Sequence, residues 1–303
     1  MRFLPGETLS EGLTRVVDQQ FEIALTIMSA PPEEQAAAVH ETRKAIKRLR
    51  AMLRLVRDSI SLDIYHTDNA MLKLIAAELG TVRDSWVMAQ ILDRLLPTAD
   101  DSDAVAVLVT RLQDRYRNES AALLENRAQM TSIFEQLGHV RVTSARWSVV
   151  AGERAAPLPH EFAMIAPGLQ RVYKRGRRGM RIVADSPTDT LLHVWRKRAK
   201  YLRHQIEALN VLDPAHLLAL ESDLERLTDL LGDDHDLAVL MARFKNDQAL
   251  VEDVDMEEVV DFLHRERRDL QDESIELGSR LFEHHSSIFV AYLEGTWGDR
   301  GNF

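Results

Sequence analysis

The chain contains no cysteine. That absence excludes disulfides, thiolate metal sites and thiol nucleophiles, and makes a reducing cytosol its simplest home. Aromatic residues amount to only 6%, while Leu, Ala, Arg, Glu and Asp are plentiful, a bias toward helix over strand. No run approaches the ~18 apolar residues that identify a membrane span. The Met1–Gly6 stretch leads into Glu7 and Glu11 without the apolar core of a signal peptide, so a soluble, cytoplasmic protein is expected. The sequence also lacks a Walker-type phosphate loop and a carboxylate constellation for metal-assisted phosphoryl transfer. No catalytic residue, cofactor or metal ligand is therefore assigned.

What is present is ordinary in total and unusual in distribution. The 303 residues are 45% hydrophobic and 28% charged, enough to bury a substantial core. The formal net charge of -10 discourages a nucleic-acid reading, yet it hides a segregation. From His40 to Arg57, seven Lys and Arg face Glu41 alone. From Gly168 to His204, eleven face only Asp185 and Asp189. The two stretches carry +6 and +9, which leaves -25 for the remainder. So uneven a field matters more than its average.

The chain also repeats itself. Gly12-Leu13-Thr14-Arg15-Val16 is matched by Gly168-Leu169-Gln170-Arg171-Val172, and His40-Glu41-Thr42-Arg43-Lys44 by His193-Val194-Trp195-Arg196-Lys197. The second match continues through Lys47/Lys200, Leu49/Leu202 and Arg50/Arg203. Leu79-Gly80 with Arg83-Asp84 is answered by Leu231-Gly232 with His235-Asp236, and Leu112, Tyr116 and Arg117 by Leu263, Arg267 and Arg268. Offsets drift only from 156 to 151, as small loop changes would produce. The pattern predicts an all-α protein of two tandem four-helix units with internal pseudo-two-fold symmetry, packed as one helical body. The first unit spans 1–137, with helices near 8–29, 35–60, 63–96 and 103–137. The second spans 160–303, with helices near 160–183, 188–211, 214–246 and 253–294. Pro31-Pro32, Pro97, Pro187 and Pro214 fall at the expected breaks, and Ser186-Pro187-Thr188 and Asp213-Pro214 read as helix starts. Residues 138–159 form the expected linker, in which Val140-Arg141-Val142-Thr143 has the composition of a short strand.

On a helical wheel the two histidine-led segments are amphipathic in the same way. Ile46, Leu49, Leu53 and Val56 make an apolar stripe opposite His40, Arg43, Lys44, Lys47 and Arg54, with Arg48, Arg50 and Arg57 flanking. In the second copy Trp195, Ala199, Leu202, Ile206 and Leu209 oppose His193, Arg196, Lys197, Lys200 and His204, with Arg203 at the edge. Like charges at i,i+3 and i,i+4 cost a few tenths of a kcal/mol per pair, and almost no glutamate relieves them here. A merely solvated face would alternate signs; a face that holds an anion would not. A third segment places Arg171, Lys174, Arg175, Arg178 and Arg181 opposite Leu169, Val172, Tyr173, Met180 and Val183. Gly176 and Gly179 there mark a close helix contact or a break. His40 and His193 can donate to phosphate oxygens, and a neighbouring polyanion would raise their pKa; neither has the i+4 partner of a helical metal pair. Asp84 and Asp236 read as orienting partners for arginines. Asp233-Asp234-His235-Asp236 lacks calcium-loop spacing.

The segments His40-x-x-Arg43-Lys44-x-x-Lys47-x-Leu49-Arg50 and His193-x-x-Arg196-Lys197-x-x-Lys200-x-Leu202-Arg203, with the Leu-Gly-x-x-Arg/His-Asp pairs, resemble the CHAD domain, the conserved histidine α-helical domain. The resemblance covers nearly the whole chain. It implies a helical fold with internal pseudosymmetry and a basic central surface or pore that binds inorganic polyphosphate. Some family members accompany polyphosphate granules, and some are fused to a triphosphate tunnel domain whose Glu-x-Glu-x-Lys signature is absent here. The residues expected to hold the ligand are His40, Arg43, Lys44, Lys47, Arg50, Arg54, Arg171, Arg175, Arg178, His193, Arg196, Lys197, Lys200, Arg203 and His204. Tyr201, where the other copy has Arg48, departs from the pattern and makes the half-sites unequal. Two other functions stay open: a helical interaction protein meeting an acidic partner or its own acidic surface as a homo-oligomer, and a phosphate-ester-processing enzyme. The basic stripes lack the aromatic platforms of single-strand nucleic-acid binding.

Overall fold

A computed structural model describes residues 1–26, 34–80, 110–112, 114–115, 118, 127–152, 159–246 and 256–298. Among these every regular element is helical, and there is no strand. The elements are α1 (Leu9–Leu25), α2 (Gln35–Leu55), a 3-10 turn at Arg57–Ser59, α3 (Leu62–Glu78), α4 (Arg127–Gly152), α5 (Pro159–Asp185), α6 (Asp189–Leu209), a 3-10 turn at Asn210–Leu212, α7 (Pro214–Asn246), α8 (Met256–Leu281) and α9 (Ser286–Gly298). No helix among the described residues is long and apolar enough to cross a membrane.

Local chemistry sets several of these boundaries. Thr8 and Glu11 close a capping box on α1, each satisfying the other's backbone N–H. Ser61 accepts from Asp63 N at the start of α3, and Thr188 from Leu191 N at the start of α6. The expected start at Asp213-Pro214 is also observed, with Pro214 in the first turn of α7. The apolar stripes of α2 and α6 are buried along their length: Ile46, Leu49, Leu53 and Val56 join Trp195, Ala199, Leu202, Ile206 and Leu209 in one core. That core draws on both halves of the chain. Each fully buried Leu or Ile in it is stabilising by about 1.5–3 kcal/mol.

Two expectations need correction. Residues 138–152 are not linker, and Val140–Thr143 is not a strand, because α4 continues through both to Gly152. Val140 and Trp147 are buried on one side of α4, and Trp147 Nε1 and Thr143 Oγ1 both donate to the buried Asp68 of α3 at 2.8 Å. That packing outweighs the strand preference of the β-branched residues. The final helix of the second half, expected over 253–294, is broken between Leu281 and Ser286. Tyr173 of α5 donates to the carbonyls of Leu281 (3.2 Å) and His284 (3.3 Å), while Arg177 Nε donates to Phe282 O at 3.1 Å. The Tyr173 ring stacks on Phe289, centroids 4.1 Å apart, so α9 folds back onto α5. These side chains satisfy the carbonyls orphaned at the end of α8. Pro31-Pro32, Pro97, Arg83-Asp84, Tyr116 and Arg117 lie outside the described residues.

Close helix approach also positions the basic residues. A Cβ at Gly168 would overlap the Leu55 carbonyl oxygen, so α5 crosses the end of α2 at backbone contact distance. This brings Arg171 and Arg175 toward Arg57. Gly176 lies against the Phe282 ring and Gly179 against Trp195, the contacts expected for those glycines.

Candidate polyanion-binding surface

Helices α2 and α6 pack against each other. Gln205 Nε2 donates to Ala51 O at 3.1 Å, and Arg48 meets Glu207 at 3.2 Å. Beside this seam α3 supplies Asn69, whose side-chain oxygen accepts from Arg54 Nη2 at 2.8 Å and from Arg50 Nε at 3.4 Å. Tyr201 of α6 lies beneath the same pair, its ring centroid 4.0 Å from the Arg54 guanidinium carbon. The aromatic departure thus orients an arginine contributed by the other half. Arg57 stands 4.9 Å from the Tyr65 ring centroid, and its buried Nε makes no hydrogen bond.

The electrostatics converge here. Burial lowers the pKa of Lys197, and Arg50, Arg198, Lys73 and Arg196 lower it further. Arg175 is lowered by burial, then by Arg198, Arg171 and Arg57, with Tyr65 opposing. Arg54 is lowered by burial, with Tyr201 and Tyr65 opposing and Arg50 and Arg198 adding. Arg198 acts on all three, and no carboxylate is among the principal groups acting on any of them. The guanidiniums remain charged at any ordinary pH. The surface is therefore held at an electrostatic cost that an incoming anion relieves.

The expected site residues divide on inspection. Arg50, Arg54, Arg175 and Lys197 belong to this convergence. Lys44 is exposed and sits 3.7 Å from Glu41; His40, Lys47 and Lys200 are half-buried on the same two helices. Arg171 lies beside Arg175 but is paired with Asp58 at 2.7 Å. Arg43 and Arg196 are less open than the wheel implied. Arg43 Nη1 donates to Ala76 O near the end of α3 (2.5 Å), and Arg196 is 8% exposed. A Cβ at Gly80 would stand 3.2 Å from Arg43 Nη1, and one at Gly232 3.4 Å from Arg196 Nη2. The repeated Leu-Gly pair therefore leaves room for an arginine in both halves.

Three residues sit apart from the convergence. Arg203 is paired with Glu225 and donates to Thr228 at 3.3 Å, toward α7. His204 is buried, 3.2 Å from Glu207, and is no part of an open basic face. Burial lowers its pKa to about 4, against the pull of Glu207, so a neutral ring donates Nδ1–H to the carboxylate. Glu207 is itself held down to about 2, because the His204 bond and Arg48 outweigh its burial. Arg178 is exposed and lines a separate basic pocket on α5.

His193 is half-buried with an unbonded Nδ1, and its ring lies 4.3 Å from that of His235. Burial, then Lys197 and Arg196, lowers its pKa to about 4, while Asp236 opposes. In the run 233–236, Asp234 is buried and accepts from Arg267 Nε at 3.0 Å and Gln271 Nε2 at 2.7 Å. It serves packing. No group of three or more His, Asp or Glu that could hold a metal occurs among the described residues.

Arg198 and Lys73 were not among the residues expected from sequence. On the wheel Arg198 falls between the apolar and basic stripes of α6, and a two-faced picture has no place for such a residue. A helix packed against α2, α5 and α7 has an additional margin. Lys73 stands on a helix with no basic stripe, so only its nearness to Lys197 marks it.

A family model described as the CHAD domain matches residues 28–245. Among solved structures, the CHAD domain from the plant Ricinus communis superposes with a TM-score of 0.61 at 17% identity, covering 93% of this chain and 94% of that one. No curated protein matches the chain.

Proposed function

The chain belongs to the CHAD domain family, and from that premise we propose that it binds inorganic polyphosphate along the margin where α2, α3, α5 and α6 meet. One observation carries the reading: Arg198 acts on Arg54, Arg175 and Lys197 together, Arg50 on Arg54 and Lys197 and Lys73 on Lys197, and no carboxylate is among the principal groups acting on Arg54, Arg175 or Lys197. Polyphosphate repeats anionic oxygens without bases, so a track of guanidinium and ammonium groups is the matching recognition element. A flexible chain can follow such a track around a helical surface more readily than stiff duplex DNA. The protein is proposed to hold the chain and not to cleave it, since among the described residues the margin offers cations and no assigned acid–base pair to activate water. Association with polyphosphate granules is the localisation this reading proposes.

The test is a titration of short and long polyphosphate against single-stranded RNA and duplex DNA at two salt concentrations, with phosphate release monitored in parallel. Tight, salt-dependent binding of long polyphosphate without release is expected. Equal affinity for RNA would defeat the ligand assignment, and sustained phosphate release lost on mutation of an acidic residue would defeat the binding-only reading. A second reading, association between copies, draws on one feature. A shallow cavity of about 960 Å³ along α1 is lined by Glu7, Glu11, Asp18 and Glu22, with Arg15 among them, acidic surface complementary to the basic margin. A molecular mass above that of one chain, reversed by high salt or polyphosphate, would favour it.

A further inference from the structure

A second basic site lies outside this margin. Lys174, Arg177, Arg178 and Arg181 of α5, with His285 and Ser286 from the turn into α9, line a partly enclosed cavity of about 200 Å³. Among the described residues no carboxylate lines it, and Lys174, Arg178 and Arg181 are in no ion pair among those residues. The cavity is built as well as charged. Arg177 Nε is fixed on the Phe282 carbonyl, and Tyr173 holds the same chain reversal through Leu281 O and His284 O. On the other wall, Ser287 N–H points to His285 Nδ1 at 3.4 Å and the Ser287 hydroxyl lies 2.9 Å from it. That arrangement leaves Nε2–H as the imidazole's donor. Ser286 is buried, and it opens α9, whose first turn adds the positive end of a helix dipole.

None of Arg50, Arg54, Arg175, Lys197 and Arg198 lines this cavity. Arg175, which belongs to the margin, and Arg181, which lines the cavity, are six residues apart on α5, about 9 Å along the axis and about 120° around it. The volume is below the ~300–1,000 Å³ of clefts that bury drug-sized ligands, which restricts the occupant to a compact anion. We propose that this cavity is a separate binding site for a phosphoryl group, supplied either as free orthophosphate or pyrophosphate or as the terminal phosphate of a chain. The chain-end source rests on the polyphosphate reading; the site itself does not.

The experiment measures binding of pyrophosphate, long polyphosphate and long polyphosphate with blocked ends to the full chain, to Lys174→Glu/Arg181→Glu and to Arg54→Gln/Arg198→Gln. Positions 174 and 181 are exposed, and a circular dichroism spectrum and unfolding midpoint verify each fold. Pyrophosphate affinity is expected to fall at least tenfold in the Lys174/Arg181 variant and to stay within twofold in the Arg54/Arg198 variant. If chain ends are the native occupant, blocking them weakens wild-type binding to the level of the Lys174/Arg181 variant; if free phosphate is, blocking changes nothing while pyrophosphate keeps its dependence on positions 174 and 181. Pyrophosphate binding, wherever it occurs, that ignores substitution at 174 and 181 would overturn the site, as would its absence together with indifference to blocked ends. Loss of long-chain binding by wild type, with pyrophosphate binding intact, would instead sink the polyphosphate reading and leave this site standing.

Discussion

Replacing Arg198 by Gln is expected to make the protein more stable and a worse ligand binder at once. Arg198 acts on Arg54, Arg175 and Lys197 and adds a like charge to each. With each repulsion at a few tenths of a kcal/mol, removing all three stabilises the unliganded protein by about 1 kcal/mol, or about 2 °C in unfolding midpoint for a chain of this size. Salt above ~0.5 M should reduce the gain by screening, least for the half-buried Arg54. In the proposed complex the same residue would donate a charge-assisted hydrogen bond worth about 1.5–3 kcal/mol, so polyphosphate affinity should fall about ten- to a hundredfold. Thermal unfolding at two salt concentrations and calorimetric titration read the two effects separately. Arg226→Gln, which removes one charge from an exposed pair with Glu273, is the control and should change neither by much. A variant that loses stability while keeping its affinity would show that Arg198 supports the fold, and the reasoning from uncompensated charge would be wrong.

Replacing Lys47 and Lys200 together by Glu should weaken binding by more than the removal of two cations, and should flatten the dependence of log affinity on log salt by about 0.7 for each phosphate no longer neutralised, if single-strand behaviour applies; unchanged affinity in a folded double variant would remove both lysines from the site. Gly168→Ala forces a methyl group into the Leu55 carbonyl, and because that atom is backbone the strain should cost at least ~1–3 kcal/mol and weaken binding by displacing α5; a midpoint within about 1 °C of wild type would contradict it. Acid should destabilise the chain in a defined window. His193 and His204 are both lowered to about 4 from 6.5, so the unfolded chain binds more protons between those values and stability falls as pH drops from 6.5 through 4. Glu207, held down to about 2, extends the loss below pH 4.5. Urea midpoints across pH 4–7 check the sign, and a flat profile would refute it. Saturating polyphosphate should raise the His193 pKa, visible as an imidazole shift in NMR titration; an unmoved resonance would place the ligand elsewhere.

Much of the fold could be read from periodicity. The stripes of α2 and α6 are spaced for burial, and Thr188 and Pro214 mark the starts of α6 and α7 by chemistry that acts within a few residues. What periodicity missed depended on contacts distant in sequence. Val140–Thr143 looks extended until Trp147 and Asp68 are seen to bind α4 to α3. The break after Leu281 has no proline or following glycine to announce it; there Tyr173 and Arg177, over a hundred residues earlier, satisfy the freed carbonyls.

The candidate site was harder to read, and the sequence repeat that pointed to it also misdirected it. A repeat preserves what both halves need in order to fold, and Arg43 with Gly80 and Arg196 with Gly232 are that kind of pair: each arginine passes a glycine and is partly withdrawn from solvent. Part of the proposed binding margin lies where the halves differ. At the repeat offset Arg54 corresponds to Glu207, Lys73 to Glu225 and Arg198 to Ala45. In the second half Glu225 neutralises Arg203 and Glu207 engages Arg48 and His204. The first half has Lys73 and Arg54 at those two positions, and Arg50, the counterpart of Arg203, stays beside Lys197 without such a carboxylate. Exchanging Glu225 and Lys73 therefore tests the asymmetry directly. The swap conserves net charge, frees Arg203 and gives Arg50 a partner. Long-chain polyphosphate binding should become insensitive to Arg50→Gln and acquire sensitivity to Arg203→Gln, and retention of the original sensitivities would show that the repeat positions, not the differences between them, hold the ligand.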